Sequence, residues 1–372
     1  MSYQLYVSLQ NDDCIRRFEM DMQGGKLALK GEYAARGGPA PMGLSPDRKT
    51  AYVGFRSKSP ENSSASDGQL RPEYGLGSFA IDQTSGDLKP TGRVYTQGEP
   101  CYVRTDVRGR FLLSSYFQAG HCATHRIDAS GAVVGEPIEW IATNSGAHSI
   151  HIDPSNRFVY VPHIGQGNLG LTRLPPERSK PANAIFQFRF DQETGRLTPN
   201  DPPRVGPGAD RQWGPRHACW HPTQPWLYVV NEQGNNISLY TLDRERGTLT
   251  LGKTISNLPP EGHPTKTSTA DIQMHRSGRF LYAPNRGHDT IASYVIDQST
   301  GDLTHTGWTR ADPRPRAFML DPTGQFLVCA GFESGRLTVY RIDQQKGSLT
   351  ELESYQGGNV PMWVLITEIP GK

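Results

Sequence analysis

"PRHACWHPTQPWLYVVNEQGNNISLYTLDRERGTLTL" (215–251) decides the fold, because the chain says it again. "STADIQMHRSGRFLYAPNRGHDTIASYVIDQSTGDLTH" (268–305) and "PRAFMLDPTGQFLVCAGFESGRLTVYRIDQQKGSLTE" (315–351) align with it without gaps through their first two strands and beyond. Weaker copies begin near Ala40, Pro100 and Ala147. Each copy has one grammar. A short strand ends at a turn such as "DPTG" or "HPTQ", and a second strand of aromatic and β-branched residues follows. A third strand alternates with period two, as in "LTVYRID", and a Gly-containing turn leads to a fourth. Alternation bounded by turn residues marks strands, and four antiparallel strands repeated radially make a β-propeller blade.

The turn anchors fall at Pro46, Val107, Pro154, Pro222, Arg276 and Pro322, at intervals of 46 to 68 residues. The two longest intervals hold polar insertions, "SKSPENSSASDGQLRPEYG" and "GQGNLGLTRLPPERSKPAN", which read as surface loops at 57–75 and 165–183. Six blades leave material at both ends. "LYVSLQNDDCIRRFEMDMQGGKLAL" has the form of strands two to four, and "VPMWVLITEI" of a first strand. Joined, they make a seventh blade, which closes the ring and leaves no open edge. The expectation is an all-β chain, residues 1–372 forming a single seven-bladed β-propeller domain.

In such a blade the start of strand one and the end of strand two lie at the same end. Because strand one lines the central channel, these positions form a ring around one mouth. Six residues before each anchor come Ala40, Cys101, His148, Arg216, Ala270 and Arg316. Ten residues after come Arg56, Phe117, Ile164, Glu232, Arg286 and Phe332. Equivalent slots hold different residues, so the repeat does not itself demand charge. Solvated mouth arginines are ordinary surface, but four of them converging with a histidine and a carboxylate point to a site.

Four arginines against one carboxylate suit an anionic small molecule, because guanidinium binds phosphate or carboxylate through paired, charge-assisted hydrogen bonds. His148 is a candidate general base, since an ordinary imidazole titrates at about 6.5. Glu232 among arginines has a lowered pKa, which suits it to orienting a neighbour or a substrate hydroxyl. A further arginine can stabilise the oxyanion as a carbonyl is attacked. Arg56 and Arg316 are read as substrate-binding. His288 is read two ways, as a turn hydrogen bond or a substrate contact. Together these favour water attack on an activated ester such as a lactone.

Other chemistries fare worse. No G-x-S-x-G elbow, phosphate loop or dinucleotide fingerprint occurs. Cys101 lies in the ring but reads as a buried thiol, and Cys14, Cys122, Cys219 and Cys329 read as core. "HCATH" and "RHACWH" pair His121 with His125 and His217 with His221, but strand spacing holds each pair too far apart for easy chelation. His217, beside Arg216, is expected to point the other way, into the blade. With 39 basic and 37 acidic residues the chain shows no bias toward nucleic acid or a membrane surface. Five cysteines without paired spacing and no leader-like N-terminus fit a cytoplasmic protein, and no run is long and apolar enough to span a membrane. Oligomeric state is left open.

"GAHSIHIDPSNRFVYVP", "GPRHACWHP", "VVNE", "ADIQMHRSGRFLYAPNR", "PRAFMLDPTGQFL" and the closing "VPMWVLI" resemble the lactonase family of seven-bladed propellers, from about Leu5 to Ile366. The nearest branch is that of the 6-phosphogluconolactonases, with the carboxy-cis,cis-muconate cyclases more distant. The resemblance implies hydrolysis of 6-phospho-D-glucono-1,5-lactone to 6-phosphogluconate, without a metal or organic cofactor, in the pentose phosphate pathway. In the cyclase branch the functional His, Arg, Glu and Arg match His148, Arg216, Glu232 and Arg286. The insertions exceed those expected of the lactonase branch and leave the particular lactone open. A muconate-type cycloisomerase and a non-catalytic binding propeller remain alternatives, although the Trp-Asp strand ending of scaffold propellers is absent.

Overall fold

A computed structural model describes residues 1–56, 74–164, 182–208, 211–262 and 266–371. Apart from the last two residues of each, the expected insertions at 57–75 and 165–183 lie outside them. Seven antiparallel sheets surround one channel. Taken from the channel outward, the fourth blade runs Pro215–Trp220, Trp226–Asn231, Asn236–Asp243 and Thr248–Ser256. The sixth runs Pro315–Leu320, Phe326–Gly331, Arg336–Ile342 and Leu349–Gln356. The last blade closes the ring as the repeat count requires. Pro361–Ile369 pairs antiparallel with Ser2–Leu9, which is followed by Cys14–Met20 and Leu27–Ala34.

Burial follows position in the blade. Second strands are sandwiched between neighbouring blades, so every residue of Trp226–Asn231 and Phe326–Gly331 is buried. Their continuous apolar runs reflect that. Fourth strands face solvent, and Leu349–Gln356 is mostly exposed. The core is a series of seams rather than one centre. Trp226, Tyr228 and Val230, for example, pack on Leu281, Ala283 and Tyr294 of the next blade.

A recurring latch ties the seams. Tyr228 on a second strand donates its hydroxyl to the Gly301 carbonyl of the next blade at 2.7 Å. Tyr6, Tyr52, Tyr160 and Tyr282 do the same to Gly86, Gly131, Gly247 and Gly347, at 2.7–3.0 Å. The acceptor is the glycine of the turn between strands three and four. At Gly247 this turn has φ 69°, and a Cβ there would overlap the Phe158 ring. Glycine is required on both counts. Among the described residues no helix is long and apolar enough to cross a membrane.

Candidate active site

One mouth of the channel is shaped by a repeated irregularity. In the fourth blade Pro215 pairs with Asn231 and Ala218 with Val229, so strand one carries one residue more than strand two. The same surplus occurs between Pro39 and Met42, Ala147 and His151, Thr269 and Gln273, Pro315 and Ala317, and Pro361 and Trp363. A bulge leaves its extra residue unpaired and re-aims side chains. Six of the seven inner strands therefore offer spare side chains at this mouth. A small pocket here is lined by Ala40, Arg56, Cys101, His148, Arg216, His217, Asp271, Arg316, Met362 and Trp363, among others. Most lie within or beside a bulge.

The arginines are not equivalent. Arg216 is buried, with Nε 2.7 Å from Glu232 Oε2 in an ion contact, and Nη1 donates to the Ala270 carbonyl. Arg286 Nη2 lies 3.1 Å from Glu232 Oε1, so one carboxylate bridges two guanidiniums from adjacent blades. Arg56 is paired with Glu99. The Arg316 side chain has neither an ion pair nor a hydrogen bond among the described residues, and its guanidinium lies 5.7 Å from the Phe332 ring centre. Burial, then Arg216, Arg286 and Arg56, hold Arg316 well below the ordinary guanidinium pKa, while Glu232 opposes them. Burial likewise pushes Arg216 down to about 10. Burial pushes the Glu232 carboxyl up, but Arg286, Arg216 and Arg316 outweigh it and hold the carboxyl below its usual value. Crowded, partly unpaired guanidiniums are relieved by an anion.

The imidazoles form the floor. The His148 ring lies 5.6 Å from Phe117 and 5.1 Å from His217. Burial, then Arg216, His217, Arg316 and Arg286, hold His148 well below 6.5. It does not titrate near neutrality, contrary to its reading as an ordinary imidazole. His217 does not turn into the blade either. It sits in the bulge with Arg216, so the simple alternation that separates neighbours fails and both line the pocket. Its Nδ1 is 2.8 Å from Asp271 Oδ1. Asp271 itself leaves the ladder at the bulge between Thr269 and Gln273. Sequence counting passed over this residue, because its slot is defined by Ala270.

The structure brings His148, Arg216, Arg56 and Arg316 to the pocket wall, with Glu232 and Arg286 joined to it through Arg216. His288 is placed otherwise. Its Nδ1 is 2.7 Å from Thr290 Oγ1 within its own hairpin, and it is not a lining residue. Cys101 is buried, its Sγ 3.2 Å from the Ala147 and His148 carbonyls. Cys219, expected in the core, is half-buried and lines the opposite end of the channel. The four histidines of the two short motifs do not converge. His121 stacks on Trp140, His125 is buried within its blade, and His221 Nε2 lies 3.1 Å from the Gly278 carbonyl.

The family model described as a lactonase, seven-bladed β-propeller, matches residues 4–366. The chain belongs to this family. It is 30% identical to 6-phosphogluconolactonase of Pectobacterium atrosepticum over 366 residues, covering 98% of this chain and 99% of that one. It is 31% identical to 6-phosphogluconolactonase of Pectobacterium carotovorum subsp. carotovorum over the same length and shares. Its backbone is similar to that of the periplasmic gluconolactonase of Pseudomonas aeruginosa, with a TM-score of 0.84 at 22% identity over the whole of both chains. That last likeness shows the fold alone. The family resemblance carried by the motifs holds along the whole propeller.

Proposed function

We propose that this lactonase-family propeller hydrolyses an anionic sugar lactone, with 6-phospho-D-glucono-1,5-lactone as the substrate and 6-phosphogluconate as the product. The observation that carries the reading is Arg316, an arginine without a carboxylate partner among the described residues, crowded by Arg216, Arg286 and Arg56. The names of the curated relatives favour the phosphorylated lactone over other acids. Five unpaired cysteines fit a reducing, cytoplasmic setting.

In this reading Arg316 and Arg56 hold the anionic group. Arg216 and Arg286 are fixed by Glu232 before substrate arrives, so a guanidinium can meet the oxyanion at little cost in reorganisation. Glu232, kept ionised by its arginines, positions them rather than taking a proton. Proton transfer falls to a neutral imidazole on the floor, where His148 and His217 lie. Water adds to the lactone carbonyl, the bond to the ring oxygen breaks, and a hydroxy acid leaves as its carboxylate.

The test is a pH-stat or NMR assay with freshly generated 6-phosphogluconolactone and unphosphorylated gluconolactone, each with and without a chelator. Fast, chelator-resistant opening of the phosphorylated lactone is the expected result. Opening of neither above the spontaneous rate would overturn the reading.

A further inference from the structure

The pocket floor holds a pair of residues that the arginine ring does not use. Asp271 Oδ1 accepts the His217 Nδ1 proton at 2.8 Å and the Ile272 amide at 2.8 Å. Because an ionised carboxylate only accepts, the proton on His217 sits at Nδ1 and Nε2 is a bare acceptor. That Nε2 is buried and has no hydrogen-bond partner among the described residues. The ring is fenced by Tyr102 at 5.2 Å, His148 at 5.1 Å and Trp363 at 5.8 Å, so it is held in place. A buried acceptor left open at the floor of a pocket calls for a partner. A water molecule between it and a bound lactone is such a partner.

We propose that His217, oriented by Asp271, is the general base that activates the attacking water. The proposal rests on the lactone-hydrolase reading above and names the residue that performs its proton transfer. As the water oxygen bonds to the carbonyl carbon, its proton passes to His217 Nε2 and the carbonyl electron pair moves to oxygen. On collapse the bond to the ring oxygen breaks, and the same proton passes from Nε2 to that oxygen. The acid product then ionises to solvent. Asp271 holds the ring through its hydrogen bond and stabilises the imidazolium, the role a carboxylate plays beside a catalytic histidine.

His148 is the less suitable base. Among the described residues no carboxylate is hydrogen-bonded to it, and its imidazolium would face Arg216, Arg316, Arg286 and His217. His217 also faces Arg216 and Arg316, with His148, His151 and Tyr102 nearby, but it alone has Asp271 beside it. Burial and Arg216 push His217 down to about 4 against the pull of Asp271, so it is neutral, with its lone pair free, across the neutral range.

The experiment compares wild type with His217→Gln, Asp271→Asn and His148→Gln on 6-phosphogluconolactone, reading kcat, KM and the pH–rate profile after folding is verified by circular dichroism. His217→Gln is expected to lower kcat by about 10²–10⁴-fold with KM little changed, the range for a lost general base. Its residual rate should rise with pH as hydroxide replaces the base. Asp271→Asn should lower kcat in the same direction and remains informative should His217→Gln not fold. A folded His217→Gln with kcat within about threefold of wild type would overturn the assignment. So would hydroxide dependence appearing in His148→Gln instead. A wild type that opens no lactone would overturn the functional reading beneath it, whereas an active wild type with equally active His217→Gln and Asp271→Asn removes the dyad alone.

Discussion

Two sets of equivalent positions run around this ring, and they are used in opposite ways. At the blade seams the repeat is kept: five second-strand tyrosines reach five turn glycines with one geometry. At the mouth the repeat is kept only in the backbone. The inner-strand bulge recurs in six blades, yet its side chains include Ala40, His148, Arg216, His217, Asp271, Arg316 and Met362. The seams hold the frame by repetition. The bulge then releases unpaired positions, and the proposed chemistry is placed on these because no ladder needs them.

On this division, changes at the mouth are expected to alter activity and changes at the seams to alter stability. The largest expected effect is at Arg216, which serves both sides. Arg216→Ala removes a guanidinium from the site and half of the bridge at Glu232. It should lower kcat/KM by about 10²–10³-fold, the scale of a lost oxyanion donor. It should also cost about 3 kcal/mol in a urea titration, since a largely buried carboxylate loses a partner. Wild-type kinetics in this variant would reduce the mouth to solvated surface. Gly247→Ala should do the reverse. Its φ of 69° penalises a side chain and Phe158 occupies the space, so a loss of at least about 2 kcal/mol is expected with kcat/KM unchanged.

Acid sensitivity sharpens the contrast further. Burial pushes His125 and His163 down to about 4, and His217 to a similar value. Unfolded histidine binds its proton near 6.5, so the unfolded chain binds more protons between about 6.5 and 4. The stability they contribute is present above 6.5 and is lost as pH falls through this window. Thermal midpoints should be flat from pH 7 to 8 and fall below 6.5. His125 has neither ring nitrogen bonded among the described residues. His125→Leu should therefore raise the midpoint, by about 1–2 kcal/mol in stability, and soften the acid slope without touching catalysis. The smallest effect tests a single latch. Tyr228→Phe loses its bond to Gly301 and should cost about 1 kcal/mol, while Tyr240→Phe, whose hydroxyl has no partner among the described residues, should cost nothing or stabilise.

The fold was legible because its signals are local and repeated. Turn residues, period-two alternation and apolar second strands mark each blade, and the leftover ends supply the seventh. Counting from the turns also located the ring slots of His148, Arg216, Glu232, Arg286, Arg56 and Arg316, since hairpin geometry fixes which strand ends share a mouth. It misjudged what depends on register. One extra residue at a bulge defeats alternation, so His217 was assigned to the blade interior and Asp271 was passed over. It also missed what depends on burial, for His148 is desolvated and surrounded by guanidiniums, and no spacing rule reports that. Of the two readings of His288, the turn hydrogen bond is the one with a partner in its own hairpin, Thr290 two residues on.

The most direct test of the central claim is the selectivity of Arg316→Ala. The ratio of kcat/KM for 6-phosphogluconolactone to that for unphosphorylated gluconolactone should be measured in wild type and variant. An unpaired guanidinium that reads the anion contributes about 1.5–3 kcal/mol, so the ratio should fall by roughly 10- to 150-fold, with the unphosphorylated lactone little affected. An unchanged ratio, or an equal loss for both lactones, would contradict the account.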